Sequence, residues 1–233
     1  MGKGNRNKTK RKLGADASAE GSKKGKVDDV LSVISPSLLS EKSRNKLKWF
    51  HDHSGPYKHL VLSPLCHREH MVKVHEEIVQ NLDGNLKETD LYKLYQTTEM
   101  SRIKAGVGDN SAILGHLLQL REAIYSKDFR DFIQDITGCG ELTDRTDLSC
   151  NAYSNGCHLL CHDDVIGTRC ISFIMYITDP NTEWTATDGG GLELYPLDET
   201  APQTNGQGIP TSIPTKTILP KFNTMALFVV QPG

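Results

Sequence analysis

The sequence predicts an α+β fold in which N-terminal helices buttress a β core of the sandwich, jelly-roll or barrel type. Three observations predict it. Apolar residues recur at helical spacing in tracts between residues 64 and 136. After Thr137-Gly-Cys-Gly140 the pattern changes to short β-like runs separated by turn residues. At 233 residues the chain can build one sizeable core with a flexible appendage, and no internal repeat is visible.

In chain order, residues 1–28 are rich in Lys, Gly, Asn and Ser with almost no large apolar side chains, and are expected to be disordered. Residues 29–233 are then one domain. From Val27 to Lys48 the pattern fits one or two helices, with breaks at Ser35-Pro36 or Ser40-x-x-Ser43. Gly55-Pro56 punctuates, and Tyr57–Leu62 reads as a short strand. A helix follows from Pro64 to Gln80, with Met71, Val74, Ile78 and Val79 on one stripe, ended by Asn81-Leu-Asp-Gly84. A second helical tract covers Ser111 to Ile136, its apolar stripe being Leu114, Leu117, Leu118, Ile124, Phe129, Phe132 and Ile133. Strands are expected at Leu148–Tyr153, Leu159–Asp164, Cys170–Ile177, Gly191–Tyr195, Thr217–Leu219 and Thr224–Val230. Thr200–Thr217, rich in Pro, Gly and Thr, is a surface loop.

The formal net charge of −2 hides an asymmetry. Residues 1–26 carry nine Lys and Arg against Asp16 and Glu20, a local balance of +7, so the remainder carries −9. The clusters Lys8-Thr-Lys-Arg-Lys12 and Lys23-Lys24-Gly-Lys26 suit a nuclear-import signal or an RNA-contacting arm, and equally a solvated tail. No stretch has the apolar length of a membrane span, and the N-terminus is too polar for a signal peptide. A nuclear and cytoplasmic location is therefore expected, with no membrane partner. In such a compartment the six cysteines are expected to be buried free thiols, since Cys157-x-x-x-Cys161 has no second pair at zinc-ribbon spacing.

His162-Asp163-Asp164 is the leading candidate site. On a strand, residues two apart share a face, so His162 and Asp164 can reach one metal while Asp163 points away. A histidine and a carboxylate at that spacing are two of the three ligands of the 2-His-1-carboxylate triad that holds Fe(II). From spacing alone, a surface His and Asp at a strand end accounts for the pair equally well. Tyr176 shares the face of Ser172 and Ile174; its hydroxyl needs a partner if buried, although an ordinary core tyrosine is the plainer reading. His51, His53, His67, His70 and His75 are expected to be surface histidines. His158 lies four residues from His162, roughly 13 Å along a strand, too far to share its metal. His75-Glu-Glu-Ile-Val lacks the second zincin histidine, and Gly106-Val-Gly108 lacks the third glycine of a dinucleotide fingerprint. No side chain stands out as a nucleophile or general base.

Together these residues resemble the Fe(II)- and 2-oxoglutarate-dependent prolyl hydroxylases, above all the eukaryotic ribosomal prolyl-3-hydroxylases. The similarity rests on Tyr57-Lys-His-Leu-Val-Leu62, Asp90-Leu-Tyr-Lys-Leu-Tyr-Gln96 and Asp147-Leu-Ser-Cys-Asn-Ala-Tyr153. It continues through Leu159-Leu-Cys-His-Asp-Asp164, Arg169-Cys-Ile-Ser-Phe-Ile-Met-Tyr176 and Gly189-Gly-Gly-Leu-Glu-Leu-Tyr195. It implies a double-stranded β-helix, or jelly roll, with His162 and Asp164 as iron ligands. Tyr176 would then donate to the distal carboxylate of 2-oxoglutarate, and Tyr153 would face the same pocket. The implied cofactors are Fe(II) and 2-oxoglutarate, with ascorbate as a reductant, and the implied substrate is a proline of a small-subunit ribosomal protein, hydroxylated at C3. The basic tail would suit ribosome or RNA association.

The resemblance places the second iron-binding histidine a few residues beyond Gly233, and the arginine that pairs with 2-oxoglutarate about one strand later. The last core strands of the jelly roll would likewise lie past that point, leaving the domain incomplete at its C-terminus. Weak Fe(II) and 2-oxoglutarate binding is therefore expected of these 233 residues alone. A catalytically inactive short isoform acting as a binding protein is the alternative.

Overall fold

A sheet one face of which is apolar must lay that face on something, and here the partner is a layer of helices. The computed structural model describes residues 30–103, 113–201 and 208–230. The expected disorder of the basic tail falls outside them. Helices α1 (Pro36–Leu39), α2 (Glu41–Asp52), α3 (Arg68–Asn81), α4 (Gly115–Tyr125) and α5 (Lys127–Thr137) pack on a three-stranded antiparallel sheet. Its strands are β1 (His59–Leu62), β9 (Thr224–Val229) and β6 (Ile171–Tyr176), with β9 in the centre.

Alternation decides what each face does. Leu60, Leu62, Met225 and Leu227 are almost wholly buried against the helices, and Phe173 and Met175 of β6 are partly buried beside them. Burying each such side chain contributes about 1.5–3 kcal/mol. The register pairs Tyr176 with Thr224, Ile174 with Ala226 and Ser172 with Phe228, so these residues share the opposite face. His59 and Val61 join it through their pairing with Phe228 and Ala226.

A second sheet contains β2 (Asn85–Glu88), β3 (Tyr92–Gln96), β4 (Asn151–Ala152) and β5 (His158–Leu159), both β4 and β5 pairing with β3. The hairpin β7 (Leu192–Leu194) and β8 (Lys216–Ile218) is a third, and every pairing is antiparallel. Leu194 and Ile218 meet Ala226 in a small second apolar cluster, with Tyr57, Tyr176 and Leu192 against it.

Several elements differ from the sequence reading. The strand expected at Tyr57–Leu62 is β1, at His59–Leu62, but β2 and β3 also precede α4, and the sequence pattern predicts no strand there. The helix expected from Pro64 starts at Arg68, because Leu65 and Cys66 are tied elsewhere: Cys66 bridges Ile34 and both bond to Asn223. Its stripe buries Met71 and Val74, but Val79 is exposed. Within the described part of the tract expected over Ser111 to Ile136 there are two helices, α4 and α5, since the Ser126 hydroxyl accepts from Phe129 N at 3.1 Å and starts a new one. All seven residues of its expected stripe are nonetheless buried. The strand expected over Leu148–Tyr153 is only two residues long. His51, expected on the surface, is buried within α2, and His70 is half-buried. Of the cysteines, all free, Cys66 is buried while Cys161 is exposed.

One carboxylate joins two of the helices. Glu77 of α3 accepts from His116 N at 3.0 Å, from Leu117 N at 2.8 Å and from the His116 ring at 2.6 Å, covering donors that the first turn of α4 leaves unpaired. Burial alone would raise this carboxyl, but the two backbone donors and the imidazole outweigh it, and its pKa lies below the usual 4.5. A depressed carboxyl stabilises the fold above its unfolded pKa and ceases to do so as pH falls through the folded one. Glu77→Gln is therefore expected to lower stability by about 1–3 kcal/mol at neutral pH. The difference from the parent should shrink on acidification below about pH 4.5. Urea unfolding at several pH values checks it, and a pH-independent difference contradicts it.

Candidate active site

The loop between β5 and β6 carries the His-x-Asp pair, and it is not a strand. Regular pairing stops at Leu159, so the alternation argument for His162 and Asp164 does not apply. The two side chains converge for another reason. The Asp163 carboxylate accepts from Val165 N at 3.2 Å, turning the chain locally and directing Asp163 away from its neighbours. His162 Nε2 then faces Asp164 Oδ1 at 3.7 Å.

The tautomer follows from the bond on the other ring nitrogen. His162 Nδ1 lies 2.7 Å from the Leu160 carbonyl. A carbonyl can only accept, so Nδ1 carries a proton, and the neutral tautomer this bond selects is the one whose lone pair is at Nε2. That is the arrangement in which histidines bind metals, the second nitrogen donating to a backbone oxygen. Two metal–donor bonds of about 2.1 Å at a right angle would put the donors about 3 Å apart, so the pair need close by less than about 1 Å. Among the described residues no third His, Cys, Asp or Glu completes a metal cluster, for zinc or for iron.

Tyr176 closes β6. Its hydroxyl is buried and has no hydrogen-bond partner among the described residues. Burial, then the nearby Tyr153, pushes its pKa up to about 12, so it is a neutral donor at any physiological pH. A buried, unpaired hydroxyl costs free energy that an incoming acceptor would recover. The shallow face between Tyr176 and Ser172 is thus lined by a donor at one end. At the other, Ser172 adjoins the His162–Asp164 loop through Arg169, whose guanidinium lies 3.2 Å from Asp164 Oδ1 and 3.5 Å from Ser172 Oγ.

Tyr57 and Arg169 also belong to this site, although the sequence gives neither a role. Tyr57 packs on the same small cluster as Tyr176 and edge-on to Phe228 at 5.8 Å. Burial, the Asp164 carboxylate and then Cys161 push its phenol up to about 12, which puts a second neutral hydroxyl near the acid. Neither residue had a readable signal, because its relation to Asp164 comes from loop packing. The nearby His158 only approaches the Gly156 carbonyl, at 3.4 Å.

The residues fit Fe(II) and 2-oxoglutarate as far as they go. A neutral imidazole nitrogen and a carboxylate suit a first-row divalent metal, and a buried phenol suits a carboxylate ligand.

Residues 148–233 match the sequence profile of the 2OG-Fe(II) oxygenase superfamily. The chain is 42% identical over 179 residues to a prolyl 3,4-dihydroxylase of Ostreococcus tauri, an alignment covering 77% of this chain and 34% of that protein. It is 30% identical over 96% of its length to a prolyl 3-hydroxylase of Xenopus laevis, 42% of which is covered. A prolyl 3-hydroxylase of Mus musculus is 30% identical over 76% of this chain and 28% of its own. The chain thus spans between about a quarter and two fifths of the length of these relatives.

Proposed function

Because the chain belongs to the 2OG-Fe(II) oxygenase superfamily, we propose that it is part of a dioxygenase that hydroxylates C3 of a prolyl residue in a small-subunit ribosomal protein. The observation that carries this reading is the His162–Asp164 pair, with Nδ1 committed to Leu160 and Nε2 facing the carboxylate. The jelly-roll arrangement, ascorbate as reductant, a nuclear and cytoplasmic location and ribosome contact through residues 1–28 belong to the same proposal. No helix among the described residues is long and apolar enough to cross a membrane.

Bound Fe(II), with 2-oxoglutarate as co-substrate and O2 as oxidant, would supply the chemistry that places one oxygen atom on an unactivated carbon, the other entering succinate as CO2 is released. The chain's own residues bind and orient. His162 and Asp164 would hold the metal from one side. Tyr176 would donate to the distal carboxylate of the keto acid. Leu192, Leu194, Ile218 and Ala226 exclude water from behind that phenol, which strengthens the bond it makes.

The test is a purified-protein assay with Fe(II), 2-oxoglutarate and proline-containing ribosomal peptides, read by mass spectrometry. One oxygen at prolyl C3, matched by succinate, supports the proposal. Saturable 2-oxoglutarate binding with no succinate supports the alternative of a catalytically silent binding protein. No binding of either cofactor overturns both. Within that assay Tyr176→Phe removes one hydrogen bond to a charged group, so its Kd for 2-oxoglutarate should rise about 10- to 100-fold. With the phenol near 12, that ratio should stay constant between about pH 6 and pH 9. An unchanged Kd removes Tyr176 from the site.

A further inference from the structure

Asp164 is turned toward His162 by something outside the pair. The chain after it folds back: Gly167 has φ 55° and Arg169 N donates to the Ile166 carbonyl at 3.0 Å. This reversal brings the Arg169 guanidinium back to Asp164, five residues earlier. Its Nη1 lies 3.2 Å from Oδ1, the same oxygen that faces His162 Nε2, and 3.5 Å from Ser172 Oγ of β6. Arg169 thereby spans from the loop that carries the two donors to the strand that carries Tyr176.

Resting on the metal reading above, we infer that Arg169 is a positioning residue that holds the Asp164 carboxylate aimed at the metal position beside His162. A carboxylate oxygen has two lone pairs, so Oδ1 can keep the guanidinium on one and offer the other to a cation. Without Arg169, the carboxylate, part exposed on an irregular loop, is free to rotate to solvent. Its approach to His162 would then have to be fixed at the moment of binding. Partners that orient metal ligands from outside typically change metal affinity 10- to 100-fold when removed. Repulsion between the guanidinium and a bound cation acts the other way, so dominance of repulsion would show as tighter binding once Arg169 is removed.

Mn(II) titration of the full chain, followed by electron paramagnetic resonance, separates these cases, with thermal melting of each variant alongside. Arg169→Gln is expected to weaken Mn(II) binding at least about 10-fold with little change in melting temperature. Arg169→Lys, which keeps the charge but not the planar fork, should recover part of the loss. Equal or tighter Mn(II) binding by Arg169→Gln overturns the positioning role while leaving the metal site standing. Absence of saturable Mn(II) binding by the parent chain overturns the metal reading, and the role of Arg169 with it. A loss matched by a collapse in melting temperature in both variants marks Arg169 as a fold residue and overturns the inference.

Discussion

Asp164→Asn is expected to lower Fe(II) affinity more than about 100-fold, beyond the range seen when only an outer partner of a metal ligand is removed. The amide is isosteric with the carboxylate but neutral, so the loop should keep its shape while the site loses the charge that binds a divalent cation. Whatever 2-oxoglutarate decarboxylation these 233 residues support should fall to that of Fe(II) without protein. His162→Ala should act alike, since Nε2 is the other donor and its lone pair is already aimed by the bond from Nδ1 to Leu160. Mn(II) titration and succinate assay of both variants, with circular dichroism to confirm folding, provide the check. Asp164→Asn with unaltered metal affinity would remove this pair as the metal centre.

Asn223→Ala is expected to destabilise the protein by about 3–5 kcal/mol. Asn223 is buried with a positive φ of 59°, a conformation asparagine adopts more readily than alanine. Its amide accepts from Cys66 N at 2.9 Å and donates to the Cys66 carbonyl at 2.8 Å. Its backbone accepts from Leu65 N at 2.9 Å and donates to the Tyr176 carbonyl at 3.0 Å. The variant leaves both Cys66 backbone groups buried and unpaired, at about 1–3 kcal/mol each. The melting temperature should drop by about 10 °C. Asn223→Gly relieves the backbone strain but not the lost bonds, so it should recover only the smaller part. A melting temperature within about 2 °C of the parent contradicts the account.

Some of this was legible in the residues. β6 and β9 were readable as apolar strands bounded by turns, and the seven-residue stripe from Leu114 to Ile133 was readable as a buried face. Other features were hidden by competing local signals. In the β2–β3 hairpin, Asn85–Glu88 against Tyr92–Gln96, β2 is exposed throughout and β3 fully buries Leu94 alone, so the segment is too short and too polar to show the apolar alternation that marks a strand. Ser126 splits a tract that is apolar at helical spacing throughout, because a hydroxyl cap acts on geometry that periodicity does not contain. His51 looked like part of a polar linker, yet α2 turns it inward.

The sequence by itself determined which groups are available: a histidine and an aspartate two apart, a tyrosine on the following strand, and enough alternation to give that strand an inner and an outer face. Only the tertiary structure decided how they meet. His162 and Asp164 converge through an Asp163 turn rather than a strand, and Arg169 returns to Asp164 through a reversal at Gly167. The Tyr176 ring packs on Leu194, Ile218 and Ala226, and its buried hydroxyl has no partner among the described residues. Pattern is short-range and records which face a residue takes along a regular element. Distances between side chains on an irregular loop depend on the whole set of turns and packed neighbours, and no periodicity carries them.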